Sequence, residues 1–429
     1  SNLVQNGDFS EEGAEEVSNG SFSQEGSELI TNGDCATDSD WGLGTNWNIS
    51  NGKANAVSSP NGVRLEQFNL GQSINRPYKV TFSVSNLTQG SFKVWFGSVQ
   101  SQTITSDGDY IIYLTPTTTD QIFIYTIGTT TGSIDNVSVR EVGQDWTLGG
   151  EVTIGDNLAH FESNTNTYSY IRQDISSLTT KTYKIQLEVK NYVSGAVQVA
   201  FSGASPIAQN LNVSSDGVYT AYLTPNANGD DFEVSREFNG GNFNFDITNI
   251  SVKEVGMDWV LDANWSIAED KAVSDGTNGF IRTSTNVFEI GKTYKVGITV
   301  SNMTTGQVSY PYDGAGATFI TENGDFSQIY TPDNTNRCWI YGRFGFDGSI
   351  TNISVIEITD DTNLPRINYE GFSYQDALGS EEIVNGGFDN GSTDWNLTRG
   401  NVINNKLVFN TTGQPSGSRS VFAIQGNVA

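Results

Sequence analysis

Few residues in this 429-residue chain could do covalent chemistry. His160 is the single histidine. A Ser–His–Asp triad would have to use it, and metal sites built on several histidines are excluded by count. It stands in "NLAHFESN", a strand-like stretch, and reads as a surface or core-edge side chain rather than a base. Carboxylates are plentiful enough for a glycosidase pair. They gather in turn signals such as "SDG", however, where Asp serves the backbone. No glycine-rich phosphate loop leads from a strand into a helix. Cys35 and Cys338 are far apart, and Cys35 stands where related stretches carry Phe ("NGDF", "NGSF", then "NGDC"). Both read as small buried hydrophobes, not as a disulfide or a metal site. The expectation is a protein that is not an enzyme and uses no cofactor.

Non-covalent chemistry is better provided for. In "SFKVWFG", Phe92, Val94 and Phe96 alternate with Lys93 and Trp95, so the last two face away from a core. In "QIFIY", Ile122 and Ile124 point inward, and Phe123 and Tyr125 point out. Related stretches place Trp339, Tyr341 and Arg343 outward near residue 340, but Gln198, Ala200, Glu233 and Ser235 near residues 200 and 233. Flat rings on a solvated sheet stack on the C–H face of a sugar, and Lys93 and Arg343 are placed to bond its hydroxyls. The same rings would serve a protein interface, the reading that exposed rings favour over glycan. Either way the middle set, without rings, predicts a spacer.

The elements that carry these residues are repeated. "YKVTFSVSN" (78–86) matches "YKIQLEVKN" (183–191) and "YKVGITVSN" (294–302), and "SIDNVSVREV" matches "DITNISVKEV" and "SITNISVIEI". Period-2 alternation and turn signals every few residues predict an all-β fold of tandem jelly-roll β-sandwich modules. The boundaries fall at 28–143, 144–256 and 257–358. Trp41, Trp146, Trp259 and Trp395 recur in "DW" at module starts and read as core plugs. Residues 1–27 belong to a smaller repeat in which Asn6, Asn19 and Asn32 keep a 13-residue step. Such units cannot bury a core alone and are expected to pair with another chain or with the first module. Residues 359–380 read as a linker and 381–429 as a partial fourth module.

The balance of 22 Lys+Arg against 49 Asp+Glu, a formal charge of −27, argues against nucleic acid or an anionic membrane as partner. No apolar run reaches transmembrane length, so no membrane insertion is expected. The chain opens without Met, as a processed chain or a fragment would.

"LVQNGDFS", "LITNGDCATDSDWGLGTNWNIS", "YKVTFSVSN" and "GSIDNVSV" together resemble the carbohydrate-binding modules of families 4 and 9, which are galactose-binding-like jelly rolls. The tandem Asn/Gly/Thr-rich style and the segment "NLPRINY" resemble fibre and appendage proteins of tailed bacteriophages. The first resemblance implies glycan binding or a purely architectural role. It also implies a structural calcium at Asp135, although Thr248 and Thr351 occupy the matching places. The second implies a homo-oligomeric virion protein that contacts other virion proteins and a host-surface glycan. The alternative is a secreted or cell-surface bacterial adhesin, or the glycan-binding region of a polysaccharide-degrading enzyme.

Overall fold

The computed structural model describes residues 1–119, 121–165, 167–204, 206–236, 241–262, 264–311, 318–359, 385–398, 400–409 and 422–425. Among these, every regular element is a strand. Two compact units divide the chain: residues 1–291 with 295–356, and residues 292–294 with 357–429.

The first unit holds three jelly-roll β-sandwich modules, and the middle one shows the plan most openly. One antiparallel sheet runs in the order Val152–Gly155, Leu158–Ser163, Phe243–Val255, Thr182–Ser194, Gly217–Leu223. The other runs Thr147–Gly149, Tyr170–Gln173, Asp231–Arg236, Val197–Ser202, Ile207–Leu211. Phe161, Ile185, Leu187, Val199, Phe201, Phe232 and Phe245 fill the space between them. In the flanking modules the two central pairs of strands are fused. Tyr78–Phe96 lies beside Ile122–Glu141, and Tyr294–Tyr310 beside Trp339–Glu357, so each long strand passes from one sheet to the other.

These long strands are bent, and left-handed Asn residues contribute. Asn86, Asn191 and Asn302 have φ of 56, 49 and 54°. Asn136, Asn249 and Asn352, in the closing strands, have φ of 53, 49 and 50°. Asn enters the left-handed region at the least cost after Gly. The ladder between Tyr78–Phe96 and the closing strand shifts register beside Asn136, as a bulge requires. The repeated "DN" and "TN" of the sequence are therefore bulges in the closing strands.

The N-terminal repeats dock one by one, in reverse order, on all three modules. Leu3 donates to Val355 O at 2.8 Å in module three, Glu16 to Val252 O at 2.9 Å in module two, and Leu29 to Val139 O at 3.0 Å in module one. Each repeat then turns at an Asn-Gly corner. Asn6, Asn19 and Asn32 are left-handed, and so are Phe9, Phe22 and Cys35 three residues on. Gly7 O accepts from Ile353 N (2.8 Å), Gly20 O from Ile250 N (3.0 Å) and Gly33 O from Val137 N (2.8 Å). A Cβ on any of these glycines would lie 2.0 Å from a carbonyl oxygen of the closing strand. Phe9 packs on Trp259 (centroids 5.3 Å apart) and Phe22 on Trp146 (5.6 Å). The indoles donate to Asn6 O (3.0 Å) and Asn19 O (3.1 Å), as Trp41 donates to Asn32 O (2.9 Å). The expectation that these repeats pair with another chain or with module one holds only for the third. The first and second complete modules three and two of their own chain, because those modules start directly at "DW" and lack an N-G-x-F turn of their own.

Charge holds the arm along its length. Glu12 bonds Lys184 (2.6 Å) and Lys253 (3.0 Å), which face each other across the sheet. Glu25 bonds Lys79 at 2.7 Å in the same manner. Glu15 and Glu28, again 13 residues apart, accept the backbone N–H of Val252 (2.6 Å) and Val139 (2.8 Å). Hydrogen bonds from the two lysines hold the Glu12 carboxyl below its ordinary range. Burial opposes ionisation of Glu28, but donation from Ser138, Val139 N and Ile30 N outweighs it and lowers that carboxyl too.

In the second unit, Trp395–Thr398 pairs with Phe422–Gln425, and Gly400–Ile403 with Lys406–Phe409. The corner recurs there in one continuous stretch: Phe388 packs on Trp395 at 5.3 Å, and the Trp395 indole donates to Asn385 O at 3.0 Å. The expected linker 359–380 lies outside the described residues, apart from its first.

Gly20→Ala is expected to expel the second repeat from module two, since the blocking atom is backbone and cannot move aside. The loss should be about 2 kcal/mol or more of stability, with rapid proteolysis between residues 10 and 26. Wild-type resistance in the variant would contradict the docking. Acid should act on the same contacts. Glu12 and Glu28 have depressed folded values, so their contribution is complete above the unfolded value and is lost as pH falls through the folded one. Amide exchange in residues 12–30 should therefore accelerate below the reference carboxyl value of 4.5, before the sandwiches unfold.

Candidate functional site

The outward rings lie on the sheet that carries Arg64–Gln67 in module one and its counterparts Tyr170–Gln173 and Gly279–Thr283. In module one Trp95 stands directly opposite Phe123, and Lys93 opposite Tyr125. The Trp95 and Phe123 rings are stacked at 5.4 Å and 13°, and Phe123 meets Tyr125 edge-on at 5.7 Å. Arg64 covers the other side of Phe123, its Cζ 4.0 Å from the ring centroid. Tyr125 OH donates to Gln100 Oε1 at 3.2 Å. Gly62, Arg64, Trp95, Gln121, Phe123 and Tyr125 line a shallow depression of about 440 Å³. Phe123 faces away from the sandwich core, as its alternation implies, yet it is only 5% exposed because Trp95 and Arg64 enclose it. The surface that a ligand would meet is made by Trp95, Tyr125 and Arg64, with half-buried Lys93 beside them.

Module three repeats the theme with other residues. Phe280 packs on Trp339 at 4.8 Å, and Arg282 lies 4.6 Å over the Trp339 ring. Arg343 lies 5.1 Å from the Tyr341 centroid and 5.9 Å from Phe319, which is widely exposed.

Module two departs from the expectation of a face without rings. Tyr168 and Tyr170 pack at 5.3 Å, and Arg172 lies 4.6 Å over Tyr170. Glu233 does occupy the place of Phe123, but it is buried and engaged. Arg172 donates to its Oε2 from Nη2 (2.6 Å) and Nε (3.0 Å), and Tyr168 donates to its Oε1. Burial, with the Glu233 bond second, pushes the Tyr168 hydroxyl up to about 12. The face is filled by its own side chains.

Three arginines that the strand alignment did not single out, Arg64, Arg172 and Arg282, thus sit over rings in all three modules. The signal was available. In "RLEQ", "YIRQ" and "FIRT" the outward alternate positions all combine Arg with Glu or a ring.

The remaining candidates are accounted for locally. His160 Nδ1 bonds Asp246 Oδ1 (2.7 Å) and Nε2 bonds Gly155 O (3.1 Å), while Asn191 holds the second Asp246 oxygen at 2.6 Å. Both ring nitrogens serve the sheet. Cys35 and Cys338 are free and fully buried, and burial pushes their thiols up to about 11 and about 12. Asp135 accepts from Asn136 N at 2.7 Å. In its place Thr248 donates to Asn157 O (2.9 Å), and Thr351 to Asp8 O and Asp270 O (both 3.2 Å). Among the described residues no group of three or more His, Cys, Asp or Glu could hold a metal ion. The donors at Asp135 do not fit a carboxylate-built calcium site.

Fold and faces together define a tandem jelly-roll protein with Arg-capped aromatic faces on the outer side of one sheet. No family model matches the sequence, and no curated protein matches it. Among solved structures it is similar to an archaeal virus protein described under "The Triple Jelly Roll Fold and Turret Assembly" (16% identity, 74% of this chain and 89% of that one, TM-score 0.21). It is similar to a protein of Sulfolobus Turreted Icosahedral Virus (14%, 73% and 90%, 0.22). A tandem CBM22 domain from Paenibacillus barcinonensis also matches (9%, 50% and 94%, 0.19). At such TM-scores these likenesses assign neither ligand nor assembly to this chain.

Removing Arg172 leaves the Glu233 carboxylate buried beside a tyrosine alone. Arg172→Ala should cost about 2 kcal/mol, less than for a fully buried pair because Arg172 is itself about a third exposed. Denaturant unfolding measures it, and Arg172→Ala combined with Glu233→Gln should recover part of the loss.

Proposed function

We propose that the chain is a non-catalytic, modular structural protein of a virus particle, a bacteriophage fibre or appendage subunit. Its first and third modules contact host-surface glycan. The observation that carries the glycan part is the open depression of module one, where Trp95 and Tyr125 offer ring area beside Arg64, with Lys93 on the strand facing Tyr125. A pyranose presents C–H groups to such rings and hydroxyls to such cations. Module two, whose Glu233 is sealed by Arg172 and Tyr168, acts as a spacer in this reading.

A projecting subunit needs stiffness along the string, and the joints favour it. Arg76 of module one bonds Trp146 O of module two at 2.6 Å, and Tyr113 OH donates to Asp156 across the same joint at 3.1 Å. Gly143 and Gly256 are left-handed at equivalent joints, with Ile154 and Ile267 packed where a side chain would stand. The arm runs past both joints as a second covalent connection, and each repeat pins the first residue of its module: Asn19 Nδ2 donates to Gln144 O and Asn6 Nδ2 to Met257 O, each at 3.1 Å. In this reading the particle contains several copies of the chain, in contact with other virion proteins. A secreted bacterial adhesin could use the same face, but would be expected as a monomer.

The full chain should bind a subset of a bacterial-surface glycan array. Trp95→Ala with Tyr125→Ala, and separately Trp339→Ala with Tyr341→Ala, should each weaken binding about tenfold, the worth of one lost stacking contact. Unchanged binding in both double variants would remove the faces from any glycan role.

A further inference from the structure

The same corner is closed in two ways. In module one and in the second unit the N-G-x-F or N-G-x-C turn leads straight into its own Trp, within ten residues: Asn32 to Trp41 and Asn385 to Trp395. In modules two and three the turn arrives from a distant part of the chain, 127 and 253 residues from the Trp that it holds. The contacts nevertheless coincide. The indole bonds the Asn carbonyl, the Asn side chain accepts from the backbone five residues on (Glu11, Gln24, Thr37 and Asn390, at 3.1–3.2 Å), and the fourth residue of the turn folds back on the Asn carbonyl. In modules two and three everything the corner needs is carried by the turn, the Trp at the module start and the closing strand. Chain connection contributes only proximity.

From this identity we infer that modules two and three contain a peptide-acceptor groove for the motif V-x-N-G-x-F, and that the arm of a second copy of this chain fills it when copies are crowded together. The proposal does not depend on the glycan reading. Residues 1–26 reach no core of their own; they contribute Val4, Phe9, Val17 and Phe22 as buried anchors to modules made elsewhere in the chain. Ser10 and Glu11, between Phe9 and Val17, and Ser23 and Gln24, after Phe22, are exposed, while Glu12 and Glu25 pair with Val255 and Val142. Specificity resides in the Gly, which must lie against a carbonyl, and in the Asn, which must be left-handed while bonding both ways. Intramolecular closure competes through an effective concentration in the millimolar range, so exchange is a property of dense assemblies and of chains folding side by side.

The test uses the full chain. The double variant Gly7→Ala, Gly20→Ala keeps both grooves but cannot seat its own arm. A fluorescent peptide of residues 1–26 should bind it saturably at one per chain, with a change in Trp146 and Trp259 emission. The same peptide with Gly7→Ala and Gly20→Ala should bind at least about tenfold more weakly. If the variant chain proves unfolded by circular dichroism, the wild-type chain takes its place, and an excess of peptide should displace the resident arm slowly. Tagged wild-type chain refolded with increasing excess of the untagged variant should then retain that variant on the tag resin. No peptide uptake by folded chain of either kind would overturn the groove. Uptake of peptide without co-retention at any excess would overturn the second copy as its source.

Discussion

The carbonyl oxygens of Ile353, Ile250 and Val137 each occupy the volume where a side chain would begin on the facing arm residue, and only Gly fits. The order of the three modules along the arm depends on that contact. Because the corner is so close-fitting, its register cannot slip by one residue without placing Asn, Asp or Ser against the same oxygen. A 13-residue step in the arm therefore translates into a step of one whole module, more than 100 residues of chain.

Electrostatics fits the same geometry. Lys184 and Lys253 stand directly opposite each other on one sheet, as Lys79 and Arg140 do on the next. Like charges in that position repel. The arm delivers Glu12 and Glu25 between them, so a chain with a formal charge of −27 spends several of its scarce cations on holding its own N-terminus. The ion pairs are half-exposed and individually weak, but each saves the module from an unbalanced pair of cations.

Much of this was legible beforehand, for a local reason. Alternation in "YKVTFSVSN" fixes which side chains enter the core, and Val80, Phe82 and Val84 are buried accordingly. The outward set Lys93, Trp95, Phe123 and Tyr125 followed from the same period, and the structure brings all four to one patch. The destination of the arm was not legible, since strand pairing over 250 residues leaves no local pattern. Its trace was an absence: N-G-x-C precedes Trp41 and N-G-x-F precedes Trp395, but neither turn precedes Trp146 or Trp259. The burial of Phe123 was missed for a different reason. Period-2 reasoning assigns a face, but it does not say what a neighbouring strand will lay over that face, and Arg64 lies over this one.

The inner and outer surfaces of the modules obey different constraints. Inside, the left-handed Asn residues, the indole bonded to the arm and the cavity-filling rings recur in every module, because bending a strand between two sheets admits few solutions. Outside, equivalent places hold Phe123, Glu233 and Trp339, and Trp95 faces solvent where module two has Ala200. Where a ring is replaced by Glu233, Arg172 and Tyr168 close on its carboxylate while both also pack on Tyr170. The scaffold is thus constant while the outward side chains differ from module to module. A string of such modules thereby gains several distinct surfaces at fixed spacing, which the arm holds in register.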